Sequence, residues 1–388
     1  MKNYGRTALS EFLGERVVYR KLAPADSRLP GLDELRPVLG LAPGVTPRKI
    51  EPDYARVIVA MLQAARRLDG VAAPLERIIY LGDTHMLDGT AFTNICQVGG
   101  WPGMAFIASE NLKEPPSLLE QGAFVLSNRW AGLPDFERLC LKRGFPIDAG
   151  TAVVIDLDKT AIGARGRNGG VIDNARVQAV EQTVAEALGA SFDPPAFRRI
   201  YDQLNQPRYH SFTADNQDYL AYICLVLVSG LFDPDATTTE VDTGKLVSFE
   251  QFITRVEQNA AALDSRLRPI HAEILANVQA GDPTPFKSFR RNEYHLTIAR
   301  FGCLPDDSSI ETLLSGEILI TQEVRLAALA WRSQGATLFG LSDKPDEAAL
   351  PAKVLRQSRE GEATLPDTAL YDEDSPALHQ AITHSVGE

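Results

Sequence analysis

Cysteine is scarce in this chain of 388 residues, which holds only Cys96, Cys140, Cys224 and Cys303. They are scattered, with neither a CxxC pair nor zinc-ligand spacing. That pattern argues against a disulfide framework or a zinc fold and leaves reduced thiols, as expected in the cytoplasm. Basic charge is also in deficit: 39 Lys and Arg face 51 Asp and Glu, for a net charge of −12. Nucleic-acid binders usually carry a basic face, so nucleic acid is not an expected partner. A small anion remains open, because it needs only local positive charge or a metal. Long apolar runs are missing as well. The longest, Tyr219 to Phe232, falls short of the about 20 residues that span a bilayer, and the first seven residues hold no apolar signal core. No membrane partner is expected, and there is no internal repeat or low-complexity tract.

What the chain does have is a series of short apolar runs that end in polar groups. With 44% hydrophobic residues it can bury a sizeable core, and its length suggests two domains. The organising stretch is Thr151-Ala-Val-Val-Ile-Asp-Leu-Asp-Lys-Thr160. Ala152 to Ile155 is too short for a helix and suits a buried parallel strand. Two carboxylates, Asp156 and Asp158, follow at its carboxyl end, where open α/β sheets bind ligands. Unpaired acids there are costly unless a cation or proton compensates them. Arg77 to Leu81 is a second such strand and runs into Gly82-Asp83-Thr84-His85-Met86-Leu87-Asp88. Met104 to Ala108 and Phe124 to Leu126 are further strands, and Ala336 to Ser342 is a strand ending in a hydroxyl.

Helical spacing places a helix from Pro52 to Leu68, stopped by Asp69-Gly70, with Lys49 just ahead of it. After Thr160 comes a basic, glycine-rich loop, Ile162 to Gly170, and then mostly helical patterns to about residue 315. Ser248 to Gln251 reads as a capping box, and the Tyr219 to Phe232 run as core. Lys287, Arg290, Arg291 and His295 read as a solvent-facing helix. Taken singly, Asp83 and Asp88 suit a turn and a helix cap, and Lys49 a solvated lysine.

Together these strand ends resemble the haloacid dehalogenase superfamily of phosphatases and phosphotransferases. Its four motifs are matched by Asp156-Leu-Asp158-Lys-Thr160, by Ser342, by Lys49 ahead of a helix, and by Gly82-Asp83 with Asp88. The third and fourth precede the first and second here, the reverse of the family's order, so the resemblance implies a circular permutation whose N- and C-terminal segments meet. Keeping the family order would make Lys344 the third motif, with only Tyr371 to Asp374 left as a fourth.

The resemblance implies an α/β fold, a Rossmann-like parallel sheet core, with a large inserted helical cap domain. The segments would be 1–160 and 316–388 for the core and 161–315 for the cap. It implies a Mg²⁺-dependent phosphatase acting on a small organic phosphate, with a phosphotransferase, a mutase or a non-catalytic binding protein as alternatives. Asp156 would be the nucleophile and Asp158 the general acid and base. Ser342 would bond a phosphoryl oxygen, and Lys49 would balance charge. Asp156, the backbone carbonyl of Asp158, and Asp83 or Asp88 would hold Mg²⁺. Thr160 closes the first motif on the substrate side. Arg165 and Arg167 in the following loop would contact phosphate, or else form a solvated basic loop.

Overall fold

The computed structural model describes residues 1–342, apart from Arg20, together with the backbone of the strand 382–387. Asp343, Lys344 and the 371–374 acidic stretch lie outside the described residues. In chain order the strands are β1 (Lys2–Ala8), β2 (Val17–Val18), β3 (Arg77–Gly82), β4 (Gly103–Ala108) and β5 (Leu118–Gln121). They continue with β6 (Phe124–Ser127), β7 (Thr151–Asp156), β8 (Ile320–Thr321), β9 (Thr337–Leu341) and β10 (Ile382–Gly387).

Seven of them form one sheet in the order β2-β9-β7-β3-β4-β6-β5, parallel throughout except for the β5–β6 hairpin. The chain is therefore α/β with a mostly parallel, Rossmann-like sheet. All six residues of β7 are buried, as expected of a strand covered on both faces. Asp156 continues the row Ala152 and Val154, since alternate residues share a face. That row packs with Tyr80, Leu341 and the helices Pro52–Leu68 and Leu87–Gly99. The opposite face includes Phe106, whose ring lies 5.5 Å from that of Phe136 on the helix Leu133–Lys142.

The helix Pro52–Leu68 forms where its signals place it: Pro52 opens it, Asp53 lies in its first turn, and Arg66 and Arg67 lie in its last. Proline costs nothing in a first turn, and the charges complement the helix dipole. Further on, where helical spacing over Leu319 to Gly335 predicts a helix, Gln322–Ser333 is helical but Ile320–Thr321 pairs as β8, so the helix starts three residues later. The edge strand β5 and the helix Leu32–Leu39 have no counterpart in the expectations drawn from the sequence.

The termini meet in a second sheet, where β10 pairs antiparallel with β1 and parallel with β8. The chain divides into one compact unit of Met1–Asn174 with Thr297–Glu388 and another of Ala175–Leu296. The divisions thus fall inside those drawn at 161 and 315. Residues just past Thr160 belong with the sheet because Asn168 bonds the backbone of Leu314, Glu317 and Leu319.

The unit Ala175–Leu296 is helical, and the apolar run lies in its core as the helix Gln217–Val228. The basic cluster departs from its expected solvent-facing role at Arg290, which is buried. Arg290 donates to Asp218 at 2.8 Å and to Glu293 at 2.5 Å, so that a helix expected to be solvated carries an internal ion pair. All four cysteines are free, and among the described residues no helix is long and apolar enough to cross a membrane.

Candidate active site

The crevice lies at the carboxyl ends of β3 and β7, neighbours whose onward connections run in opposite directions. From β3 the chain moves outward to β4 and β6; from β7 it moves the other way, to β9. Such a switch point opens a gap between the two departing crossovers, and ligands of open α/β sheets bind there. The register sets Leu81 beside Ile155 and Leu341 beside Asp156. Asp83 and Ser342 each lie one residue past β3 and β9, on either side of the chain leaving β7.

Three carboxylates gather in this crevice: Asp83, Asp88 and Asp156 offer oxygens that lie within 4.8 Å of one another. Lys49 joins them from the segment ahead of the helix Pro52–Leu68. Its Nζ is 2.5 Å from Asp156 Oδ1 and 2.8 Å from Asp88 Oδ1, and all three side chains are almost fully buried. A solvated lysine and a simple helix cap are thereby ruled out as the roles of Lys49 and Asp88.

Asp88 sits in the first turn of the helix Leu87–Gly99, and its carboxylate points back at the end of β3. Oδ2 accepts from the backbone N–H groups of Asp83 at 3.0 Å and Thr84 at 2.9 Å, and from Thr84 Oγ1 at 3.1 Å. Oδ1 accepts from Tyr80 Oη at 3.2 Å as well as from Lys49. A carboxylate has about four lone-pair positions, so these five donors occupy the capacity of Asp88. Burial opposes its ionisation, but Lys49 outweighs burial and holds the carboxyl below its ordinary range.

This placement requires a glycine at position 82, where a Cβ would stand 2.6 Å from both Cβ and Cγ of Asp88. Gly82→Ala is expected to push the Asp88 carboxylate out of place and weaken divalent-cation binding about 10–100-fold, as loss of an outer partner typically does. Calorimetric titration with Mg²⁺ measures it, and unchanged affinity would refute this role for Gly82.

Asp83 has the opposite electrostatics. Burial, and then the negative charge of Asp88, push its carboxyl up to about 7, despite the opposing pull of Arg165. Arg165 Nη1 stands 2.9 Å from Asp83 Oδ2. A cation binding at Asp83 would have to displace the proton, so its affinity is expected to fall as pH drops through about 7, with a proton released on binding. Without a cation, the raised carboxyl stabilises the fold fully below its ordinary value of 3.8, and that contribution is lost as pH rises through about 7. Titrations in buffers of different ionisation enthalpy count the proton; pH-independent affinity from 6 to 8 would contradict the assignment.

The other expected site residues divide. Ser342 is buried at the end of β9, where its N–H donates to Val18 at 2.9 Å. Asp158 is half-buried in the turn after β7, forms a bridge with Ile162, and stands outside the group of three gathered carboxylates. Next to it, Lys159 takes a left-handed conformation with φ of 64° and pairs with Asp173 at 2.7 Å. Thr160 is fully buried, and its carbonyl accepts from Thr321 Oγ1 at 2.5 Å. Arg167 lies between Glu110 and Glu323, with contacts of 2.6 to 2.9 Å, and its side chain is 2% exposed. It is neither a solvated arginine nor placed to meet a phosphate; the two glutamates hold it as part of the scaffold.

Tyr80 and Thr84 were missed as partners of the cluster. Tyr80 had a signal, since it lies two residues before Gly82 on the row facing the helices.

Among the described residues, Asp83, Asp88 and Asp156 form the one group of three carboxylates close enough together that it could hold a metal ion. No family model, curated protein or solved structure matches the chain.

Proposed function

We propose that this protein is a Mg²⁺-dependent phosphatase of the haloacid dehalogenase kind, in permuted order, acting on a small phosphate monoester. The observation that carries the reading is the meeting of Lys49, Asp88 and Asp156 at the end of β7, from segments the resemblance had singled out separately. Asp83 and Asp156 would hold the cation directly. Asp88, its lone pairs already taken, would fix Lys49 and the β3 turn. The bound cation would neutralise charge on the phosphoryl oxygens.

The chain's own groups would do the rest. A carboxylate oxygen of Asp156 attacks phosphorus, the bond from phosphorus to the ester oxygen breaks, and Asp158 gives that oxygen a proton. Asp158 then takes a proton from water as the water oxygen attacks phosphorus. The bond to Asp156 breaks and inorganic phosphate leaves. Lys49 restrains Asp156 at Oδ1 throughout, and Ser342 orients a phosphoryl oxygen. The helical unit Ala175–Leu296 would be the family's cap on the strength of its place in the chain, after β7 and its loop.

The experiment is a broad panel of phosphate monoesters with Mg²⁺, read by release of inorganic phosphate. Release that depends on Mg²⁺ is expected for at least one substrate class. No release from any ester would overturn the hydrolase reading, and transfer to a sugar in place of water would make the enzyme a phosphotransferase.

A further inference from the structure

Arg165 has an anchored backbone and a partly exposed head. Its N–H donates to the Lys159 carbonyl at 2.8 Å, and its carbonyl accepts from Glu110 N at 2.9 Å and Trp130 Nε1 at 3.3 Å. Gly166 follows with φ of +82°, and a Cβ there would lie 1.9 Å from the Glu110 carbonyl oxygen. Arg167 is then clamped by Glu110 and Glu323. Between these anchors the Arg165 side chain remains 37% exposed and reaches Asp83, whose side chain is 10% exposed.

The charges of the crevice say what that head is for. Three carboxylates, Asp83, Asp88 and Asp156, face two cations, Lys49 and Arg165. With all three carboxylates ionised, one net negative charge is left, which repels an anion. A divalent cation reverses it to one net positive charge. Lys49 is buried between two partners, whereas Arg165 holds a single rim carboxylate that the cation would need.

We propose that Arg165 is an exchangeable plug: it holds Asp83 while the cation site is empty, yields that carboxylate to the arriving divalent cation, and then takes a phosphate oxygen. Cation binding thus precedes and promotes anion binding, through the side chain alone on a rigid loop. This rests on the divalent-cation reading of the cluster.

Isothermal titration of the full-length protein with Mg²⁺, and with inorganic phosphate at saturating Mg²⁺, tests the exchange in wild type, Arg165→Gln and Arg165→Lys. In Arg165→Gln the competitor for Asp83 is gone, so Mg²⁺ should bind about fivefold tighter or more, while phosphate binds at least about fivefold weaker, the usual lower range of coupling between sites. Arg165→Lys, which keeps the charge, should bind Mg²⁺ much as wild type does and phosphate less tightly. If Mg²⁺ binds wild type but Arg165→Gln binds it no tighter, the exchange is wrong. It is also wrong if phosphate affinity is unchanged in Arg165→Gln, because Arg165 would then only plug the site. Failure of wild type to bind Mg²⁺ removes the cation reading itself.

Discussion

Asp156→Asn is expected to remove phosphate-ester hydrolysis, by roughly 10,000-fold or more in kcat, while the protein remains folded. The amide keeps the shape of the carboxylate at the end of β7, so the six-residue strand and its pairing to β3 and β9 have no reason to change. On the proposed reading, what would disappear is the attacking oxygen and one charged ligand, while Lys49 keeps Asp88 as its partner. Kinetics on whichever ester the wild type hydrolyses, beside thermal melting, separate the two effects. Turnover at the wild-type rate would remove Asp156 from the nucleophile's role, and with it the proposed covalent intermediate.

Lys49→Met should act on stability first. Its ammonium lies between Asp88 and Asp156, both of whose side chains are nearly buried. Taking away one partner of a buried ion pair leaves charge uncompensated and costs about 3–5 kcal/mol. Methionine fills most of the lysine volume, so the loss is electrostatic rather than a cavity. Because a divalent cation would restore positive charge at the same carboxylates, Mg²⁺ should raise the melting temperature of Lys49→Met more than that of wild type. Thermal melts with Mg²⁺ and with chelator give the comparison. Equal Mg²⁺ shifts in the two proteins would mean that Lys49 and the cation do not answer to the same carboxylates.

The sequence was most legible where strands end. β3, β4, β6, β7 and β9 were visible as short apolar runs, and Asp83, Asp88, Asp156 and Ser342 as the polar groups closing three of them. Lys49 was legible only as a residue ahead of a helix; its contact with Asp156 spans 107 positions, and no local pattern encodes it. Arg167 shows the limit. A basic loop rich in glycine looks solvated, but this arginine finds Glu110 57 residues back and Glu323 156 residues on. Those glutamates lie outside any motif, and so the burial of Arg167 could not be foreseen. Arg290 misled in the same way, for its partner Asp218 sits 72 residues earlier inside an apolar helix. The meeting of the terminal segments was expected from the permuted motif order, but the strand pairs that make it, β1–β10 and β8–β10, were hidden because sequence alternation says nothing about distant partners.

The order of strands in the sheet bears on how the chain is made. Lys49, Asp83, Asp88, Asp156 and Arg165 fall in one continuous stretch, so a chain emerging from the ribosome carries the whole charged centre well before β9. Until β9 arrives, after the helical unit and the helix Gln322–Ser333, β7 has β3 on one side and an open edge on the other. That edge belongs to a strand all six of whose residues are buried in the finished sheet, and an apolar open edge invites pairing with other chains. Synthesis therefore passes through a stage in which the acidic centre is present but its strand is unprotected, and the segment carrying Ser342 closes the sheet as well as the site.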